Sequence, residues 1–374
     1  MAARLEVGAA SAATGSGGTR VSALVGEVHA WFESSELDLK AVPEAFGSAF
    51  LIPAASRGRA LSFESSVSGT WMKGAGELLG FAERWWGYRA EPPAAVTRAD
   101  LSIRRPNRAE RTALCFSGGV DSFYSLLRRP GGVDLIVAGH GLDIPLADTA
   151  RMRRFEASVR AISASLGIES AIVRTNLREH PDFSCASWER THGGTLAAIG
   201  HLLGDAASRL VVSSSAARAD AHPWGSHWQT DPLWSTGRLT VEHFGDSIRR
   251  GEKLAAMGAE PLVQKHLRVC WANRDDRLNC SRCEKCIRTE VVLAMYGMLD
   301  RFEVFEPPRT LAERIAGVPR IPVRASMIPY RRALKSGLDR DVARAVRALL
   351  IRSQRKFMTD AVVGLARRAV SASA

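Results

Sequence analysis

Two short segments carry residue types whose spacing can do chemistry. The first is Ser117-Gly118-Gly119-Val120-Asp121-Ser122, set between the apolar run TALCF and the amphipathic run DSFYSLLRR. Adjacent glycines let a backbone turn sharply and approach a ligand with no Cβ in the way. The N–H groups exposed by such a turn, joined to those of a helix start, cradle an anion. Ser117 and Ser122 add hydroxyl donors, and Asp121, which would repel a bare phosphate, calls for Mg²⁺ as mediator. No GxxxxGK[ST] segment occurs, so the loop is not of the Walker type. The second segment is Cys270-x9-Cys280-x2-Cys283-x2-Cys286. Two CxxC steps and one more distant cysteine can wrap a single tetrahedral Zn²⁺, with every position sulfur and none left for water. Such a site staples a chain and does not catalyse. Arg268, Arg274, Arg277, Arg282, Lys285 and Arg288 surround it and would offset the charge of four thiolates. A redox dithiol or an iron–sulfur cluster is the alternative use of the same cysteines.

Both segments need elements that position them. From Arg111 onward, short apolar runs alternate with longer amphipathic ones. Strands are expected at Thr112–Phe116, Asp134–Ala138, Ser170–Arg174, Arg209–Val212 and Leu239–His243. Helices are expected at Asp121–Arg129, Asp148–Leu166, Thr195–Leu203, near Asp246–Met257 and at Val291–Met298. Strands separated by helices imply crossovers and a parallel sheet, with ligands beyond the carboxyl ends of its strands. The fold class read from this is α/β, a five-stranded parallel Rossmann-like sheet. An N-terminal α+β accessory region and a C-terminal zinc knot with helices complete it.

Ser117–Ser122 between strand and helix resembles the PP-loop of the N-type ATP pyrophosphatases. Their sheet is of the adenine nucleotide alpha hydrolase-like type. The resemblance implies cleavage of ATP between its α and β phosphates: the substrate becomes an adenylate, pyrophosphate leaves, and a nucleophile displaces AMP. A cysteine and two CxxC steps following such a domain are similar to the 7-cyano-7-deazaguanine synthase family. Those enzymes convert 7-carboxy-7-deazaguanine, ammonia and ATP to a nitrile and bind structural zinc. The resemblance covers about residues 111–298. It departs at Ala138-Gly139-His140-Gly141-Leu142-Asp143, where that family has an aromatic-Gly-Gln stretch, and leaves the first 110 residues and those after 300 unaccounted for. Reaction class and metal therefore carry over, but substrate identity does not.

The remaining candidates follow the expected strands. His140 and Asp143 could meet the adenosine, or form a polar turn. Asn176 and Arg178, after the third strand, could contact substrate or nucleotide. His192, with Gly193 and Gly194, precedes an expected helix; the glycines suit close helix–sheet packing, and the histidine either carries protons or shapes the helix entry. Residues 213–235 hold Trp224, Trp228 and Trp234 with Ser214, Ser226, His227 and Asp231. This loop is read as a stacking pocket for a planar substrate, with an apolar anchor as the alternative. Arg249, Arg250 and Lys253 could reach a departing pyrophosphate, with Lys253 placed beside Asp121 and Ser122 as catalytic, or could be solvated helix charges.

Composition sets the outer limits. At 46% apolar and 24% charged residues, 374 residues can bury a large core and are not a mostly disordered chain. No run of 18 apolar residues occurs and the N-terminus has no sustained apolar stretch, so neither a membrane partner nor secretion is expected, and the location expected is the cytoplasm. The net charge of +12 suits polyanions without choosing among them. The expected organisation is a mobile tail at 1–18, the accessory region at 19–108 ending in the basic boundary 104–108, the loop-bearing domain at 109–260, the zinc-knot region at 261–330 and a basic helical tail at 331–374. The expected reaction is adenylation of a small-molecule carboxylate or carbonyl, then attack by ammonia or an amine, with ATP, Mg²⁺ and Zn²⁺. A tRNA sulfur-inserting enzyme and a non-catalytic nucleotide-binding regulator are the alternatives. A homo-oligomer is compatible with the sequence.

Overall fold

The computed structural model describes residues 4–99, 110–305 and 309–372; the boundary expected at 104–108 lies outside them. The chain divides into two compact units, 1–250 and 251–374.

Among its described residues the first unit has twelve strands: β1 (Arg4–Val7), β2 (Ser11–Gly15), β3 (Gly18–Val25), β4 (Val28–Ser34), β5 (Ala60–Phe63), β6 (Val67–Ser68), β7 (Thr97–Arg98), β8 (Thr112–Cys115), β9 (Leu135–His140), β10 (Glu169–Thr175), β11 (Arg209–Ser213) and β12 (Thr240–Phe244). The five strands expected after Arg111 pair in parallel, in the order β12-β11-β8-β9-β10. The chain runs from β8 out to β10 and then returns to the other side of β8 with β11. The order therefore reverses at the β8/β11 seam, which opens a crevice outside the carboxyl ends of these two strands. All four residues of β8 are buried, as a strand covered on both faces requires.

The expectations for the N-terminal part are corrected. The sheet has ten strands, not five, because β4 pairs antiparallel with β10 and continues it through β3, β1 and β5, with β2 added on β3. An open edge at β10 would expose unpaired backbone groups, and β4 covers it. Residues 4–18, expected as a mobile tail, supply β1, β2 and the first residue of β3. Leu5 and Val7 alternate inward there, a period-two signal masked in the sequence by the small residues that follow. Helix Pro43–Ser56 is buried over Pro43–Ala55, as befits a helix apolar on all sides. Its Phe46 and Phe50 share one core with Val137 and Val173 of the parallel strands and with Leu210 and Val241. The accessory region is thus half of the first unit's core.

Among its described residues the second unit is helical, with helices Arg250–Met257 (which starts on the last residue of the first unit), Pro261–His266, Glu284–Met295, Leu311–Ala316, Met327–Ala333 and Arg340–Ala372. Val346 and Leu349 of the last helix pack with Ile287 and Val291 of Glu284–Met295. The basic tail is therefore part of the same core as the cysteine segment and not a separate element. No helix among the described residues is long and apolar enough to cross a membrane.

Candidate functional site

The Ser117–Ser122 loop leaves β8 and enters helix Val120–Arg128. Gly118 has φ +72°, a left-handed conformation that glycine adopts without strain. Ser117 Oγ accepts from Gly119 N–H at 3.3 Å and lies 3.4 Å from Ser122 Oγ, which donates to Gly119 O at 3.0 Å. Both hydroxyls thus brace a turn whose outer rim, at Ser117, is exposed. Asp121, in the first helical turn, receives the guanidinium of Arg250, with Nε at 2.9 Å from Oδ2. Arg250, after the fifth parallel strand, thus reaches the loop. Arg249 instead pairs with Asp220. Lys253 is buried in helix Arg250–Met257 of the second unit.

Three further candidates have partners within the protein. His140 turns inward, with Nε2 3.1 Å from Pro145 O, and burial holds its pKa below the ordinary histidine value. The ring closes the turn after β9, the alternative expected for it. Asn176 accepts from Trp31 N–H and donates to His29 O, both at 2.9 Å, so its amide extends the β10–β4 pairing. Arg178 is exposed and lies over the Trp188 ring, 4.7 Å from its centroid. These polar side chains follow strands on the expected edge, but an antiparallel neighbour that the sequence did not announce has claimed Asn176.

The tryptophan-rich segment is brought together, though not as one pocket. Trp234 is 2% exposed and belongs to the core. Trp224 and Trp228 line a narrow cleft with Ser214, Ser226, His227 and His243. Arg218 covers the Trp228 ring at 4.6 Å, and Trp85 of helix Gly69–Trp86 stands edge-on to His227 at 4.9 Å. Trp234 thus takes the anchor role, and the stacking reading is left to Trp224 and Trp228 at the cleft. His192 lies inside helix Trp188–Leu202, not before it, 5.9 Å from the Trp224 ring, with Nδ1 3.1 Å from Trp188 O. Burial lowers its pKa. A Cβ on Gly193 would fall 1.9 Å from Gly225 O, and one on Gly194 would fall 2.2 Å from Ser48 O. The glycine pair therefore admits the cleft loop and helix Pro43–Ser56, and not the sheet.

Asp231 lies beneath the cleft, fully buried. Its carboxylate accepts Ser226 Oγ–H at 2.7 Å and His227 N–H at 3.1 Å, and lies 2.6 Å from His243 Nδ1. His243 was not singled out in the sequence. Its signal was there: a histidine near the carboxyl end of a parallel strand, two residues after the inward Val241. Trp85 had no comparable signal, because it comes from the region that carries no motif. Cys115 ends β8 nearby; burial, with help from the Asp231 charge, pushes its thiol up to about 12, so it is inert as a nucleophile.

In the second unit, Cys270, Cys280, Cys283 and Cys286 are all buried, with their four Sγ atoms within 4.8 Å of one another. Cys270 Sγ and Cys283 Sγ are 3.9 Å apart, far beyond the ~2.05 Å of a disulfide. Zinc–sulfur bonds of ~2.3 Å in a tetrahedron put sulfurs about 3.8 Å apart, so the set fits one Zn²⁺. The protons are unevenly held: hydrogen bonds from Cys280, Cys283 and Cys286 pull Cys270 down, while those shared with Cys270, Cys280 and Cys283 push Cys286 up. Four thiolates can coexist here only with a cation among them. The backbone is shaped for the purpose, with Ser281 at φ +48° inside the first CxxC step. Asn279, unremarked in the sequence, clamps the arms: its Oδ1 accepts from Val269 N–H at 2.8 Å and Cys270 N–H at 3.3 Å, and its Nδ2 donates to Leu267 O at 2.7 Å.

The first unit thus carries a loop fit for an anion beside a cleft with a buried aspartate–histidine pair, and the second a buried four-cysteine group fit for a metal such as zinc. Comparison with family models, with characterised proteins and with solved structures finds no match for this chain.

Proposed function

We propose that the protein is an ATP pyrophosphatase-type ligase. It would convert a small planar carboxylic acid to its adenylate and then pass the acyl group to ammonia or an amine, as 7-cyano-7-deazaguanine synthases do. The observation that carries this reading is the position of Ser117–Ser122 at the seam where strand order reverses, with Arg250 on Asp121. Backbone N–H groups of the loop and of helix Val120–Arg128 would receive the triphosphate. Mg²⁺, when bound, supplies charge neutralisation between the phosphates and Asp121. Arg250 then exchanges Asp121 for the pyrophosphate and offsets the charge that develops as it leaves. Trp224 and Trp228 line a cleft of about 10 Å³ that would have to widen for a flat acid to reach their rings, and the reversal of strand order beside the loop supports the reading.

The alternative of tRNA sulfur insertion needs an accessible sulfur carrier. Four of the six cysteines sit in one buried cluster and Cys115 is buried and inert, which leaves Cys185 as the exposed thiol. That distribution favours the ligase, and the cysteine cluster takes the structural role of a zinc staple.

The test incubates the protein with Mg²⁺–ATP, ammonium chloride and a panel of heteroaromatic acids that includes 7-carboxy-7-deazaguanine, with bulk tRNA as a parallel arm. AMP and pyrophosphate, formed only when an acid is present, are expected. ADP and phosphate as products would reject the assignment, and release stimulated by tRNA alone would replace the acid with the tRNA reading.

A further inference from the structure

The cleft holds a pair of histidines with opposite hydrogen-bonding polarity, and the buried carboxylate decides it. An ionised carboxylate only accepts hydrogen bonds. Asp231 Oδ2, 2.6 Å from His243 Nδ1, therefore requires the proton on Nδ1, and in the neutral ring the lone pair then lies on Nε2. With Nδ1 turned to Asp231, Nε2 is the ring nitrogen left to a ligand in the cleft that His243 lines, and it has no hydrogen-bond partner among the described residues. His227 has the reverse arrangement. Its Nδ1 accepts from Gln229 N–H at 3.2 Å, so the neutral ring carries its proton on Nε2. Burial, and then the neighbouring His243, lowers the His227 pKa and favours that neutral form.

The pair is rigidly held. His243 sits in β12, in parallel register with Val212 of β11. Asp231 closes a turn in which Asp231 N–H and Thr230 N–H both reach His227 O, at 2.9 and 3.0 Å. Pro232 and the core residue Trp234 follow it directly. Asp231 and His227 stand beside His243, buried His192 and Cys115 also interact with the Asp231 charge, and His222 and Asp246 act on His227. Asp246 is itself paired with Arg218 at 2.8 Å. Asp231 braces the turn through Ser226 and His227, and its bond to His243 also orients that ring as a proton transfer needs.

We infer that His243 is the general base of the acyl-transfer step and that Asp231 positions it. This inference rests on the adenylation reading above. In the step, the lone pair of ammonia forms the C–N bond to the acyl carbon of the adenylate. The bond from that carbon to the phosphate oxygen breaks, and its electron pair leaves with AMP. The surplus proton on nitrogen passes to His243 Nε2 and from there to solvent. The Nε2–H of His227 is the complementary donor for the carbonyl oxygen as it gains charge. Products are the amide, AMP and one proton, with no redox change.

Adenylation itself needs no such base, which gives the test its form. Exchange of labelled pyrophosphate into ATP measures the first half-reaction, and amide formation with ammonium chloride measures both. His243→Asn keeps a donor toward Asp231 but has no Nε2. It should lose amide formation by about 10²-fold or more and keep exchange within about threefold. Asp231→Asn can donate to Nδ1 and invert the ring, so it should show the same split. Side-chain ¹⁵N NMR of histidine-labelled protein should show the wild-type His243 ring protonated at Nδ1 and bare at Nε2, and the reverse in Asp231→Asn. Unchanged amide formation in His243→Asn, equal loss of both half-reactions in folded protein, or an Nε2–H tautomer in the wild type would overturn the assignment of His243. Absence of exchange in the wild type with every acid would instead remove the adenylation reading, and the base with it.

Discussion

The Ser117–Ser122 loop and the cysteine cluster are built in opposite ways. The loop is made of backbone: two glycines, a helix start and hydroxyls that brace the turn, with Ser117 on an exposed rim. The cluster is made of side chains, four sulfurs wholly buried and clamped by Asn279. An open turn with a charged partner such as Arg250 suits a ligand that arrives, reacts and leaves. A closed site with every position taken suits an ion that stays and holds the chain. Buried Glu290 joins that closed region through Arg314, which also donates to Ser281 O at 3.3 Å; burial, against the pull of Arg314, raises the carboxyl to about 7.

The contrast can be broken most forcefully from the cluster side. Cys283→Ser should release the metal and unfold the second unit, because binding free energies of about 10–16 kcal/mol are coupled to folding in small zinc sites. Metal analysis should fall from one zinc per chain to near none, and a strong chelator should reproduce the loss of helical circular dichroism. Survival of the helices without metal would make the cluster dispensable. From the loop side, Asp121→Asn should lower pyrophosphate release by about 10²–10³-fold with little change in Tm, since a half-exposed ion pair contributes about 1 kcal/mol or less. A large Tm loss in that variant would show that the loop is structural as well.

Acid should separate the same regions in a graded way. Burial lowers His201, in the core of the first unit, to about 3. The unfolded chain takes that proton near pH ~6.5, so the stability is fully present above that pH and is lost as pH falls toward 3. His201→Leu should flatten the acid slope of denaturant midpoints measured by tryptophan fluorescence. An unchanged slope would assign the acid sensitivity elsewhere. The smallest effect expected is at the cleft wall: Trp228→Ala should raise KM for the acid about tenfold, as the loss of one stacking face of about 1.4 kcal/mol implies, while KM for ATP stays put. Equal changes in both would merge the cleft with the nucleotide site.

Sequence alone determined what depends on local spacing. The CxxC steps bring sulfurs together within one turn, and SGGVDS between an apolar strand and an amphipathic helix folds by near-neighbour rules. Both are as expected, at Cys270–Cys286 and Ser117–Ser122. The five parallel strands were legible for the same reason, because period and turn chemistry are local. What only the tertiary structure decided is long-range. That β4 covers β10 engages Asn176, which lies 145 residues from Trp31 in the chain. The same kind of contact sets Trp85 against His227, and parts Arg249 from Arg250, one on Asp220 and the other on Asp121. No spacing rule relates such residues. A side chain after a strand is free for a ligand only if no distant segment needs its hydrogen bonds first, and that competition is settled by packing over the whole core.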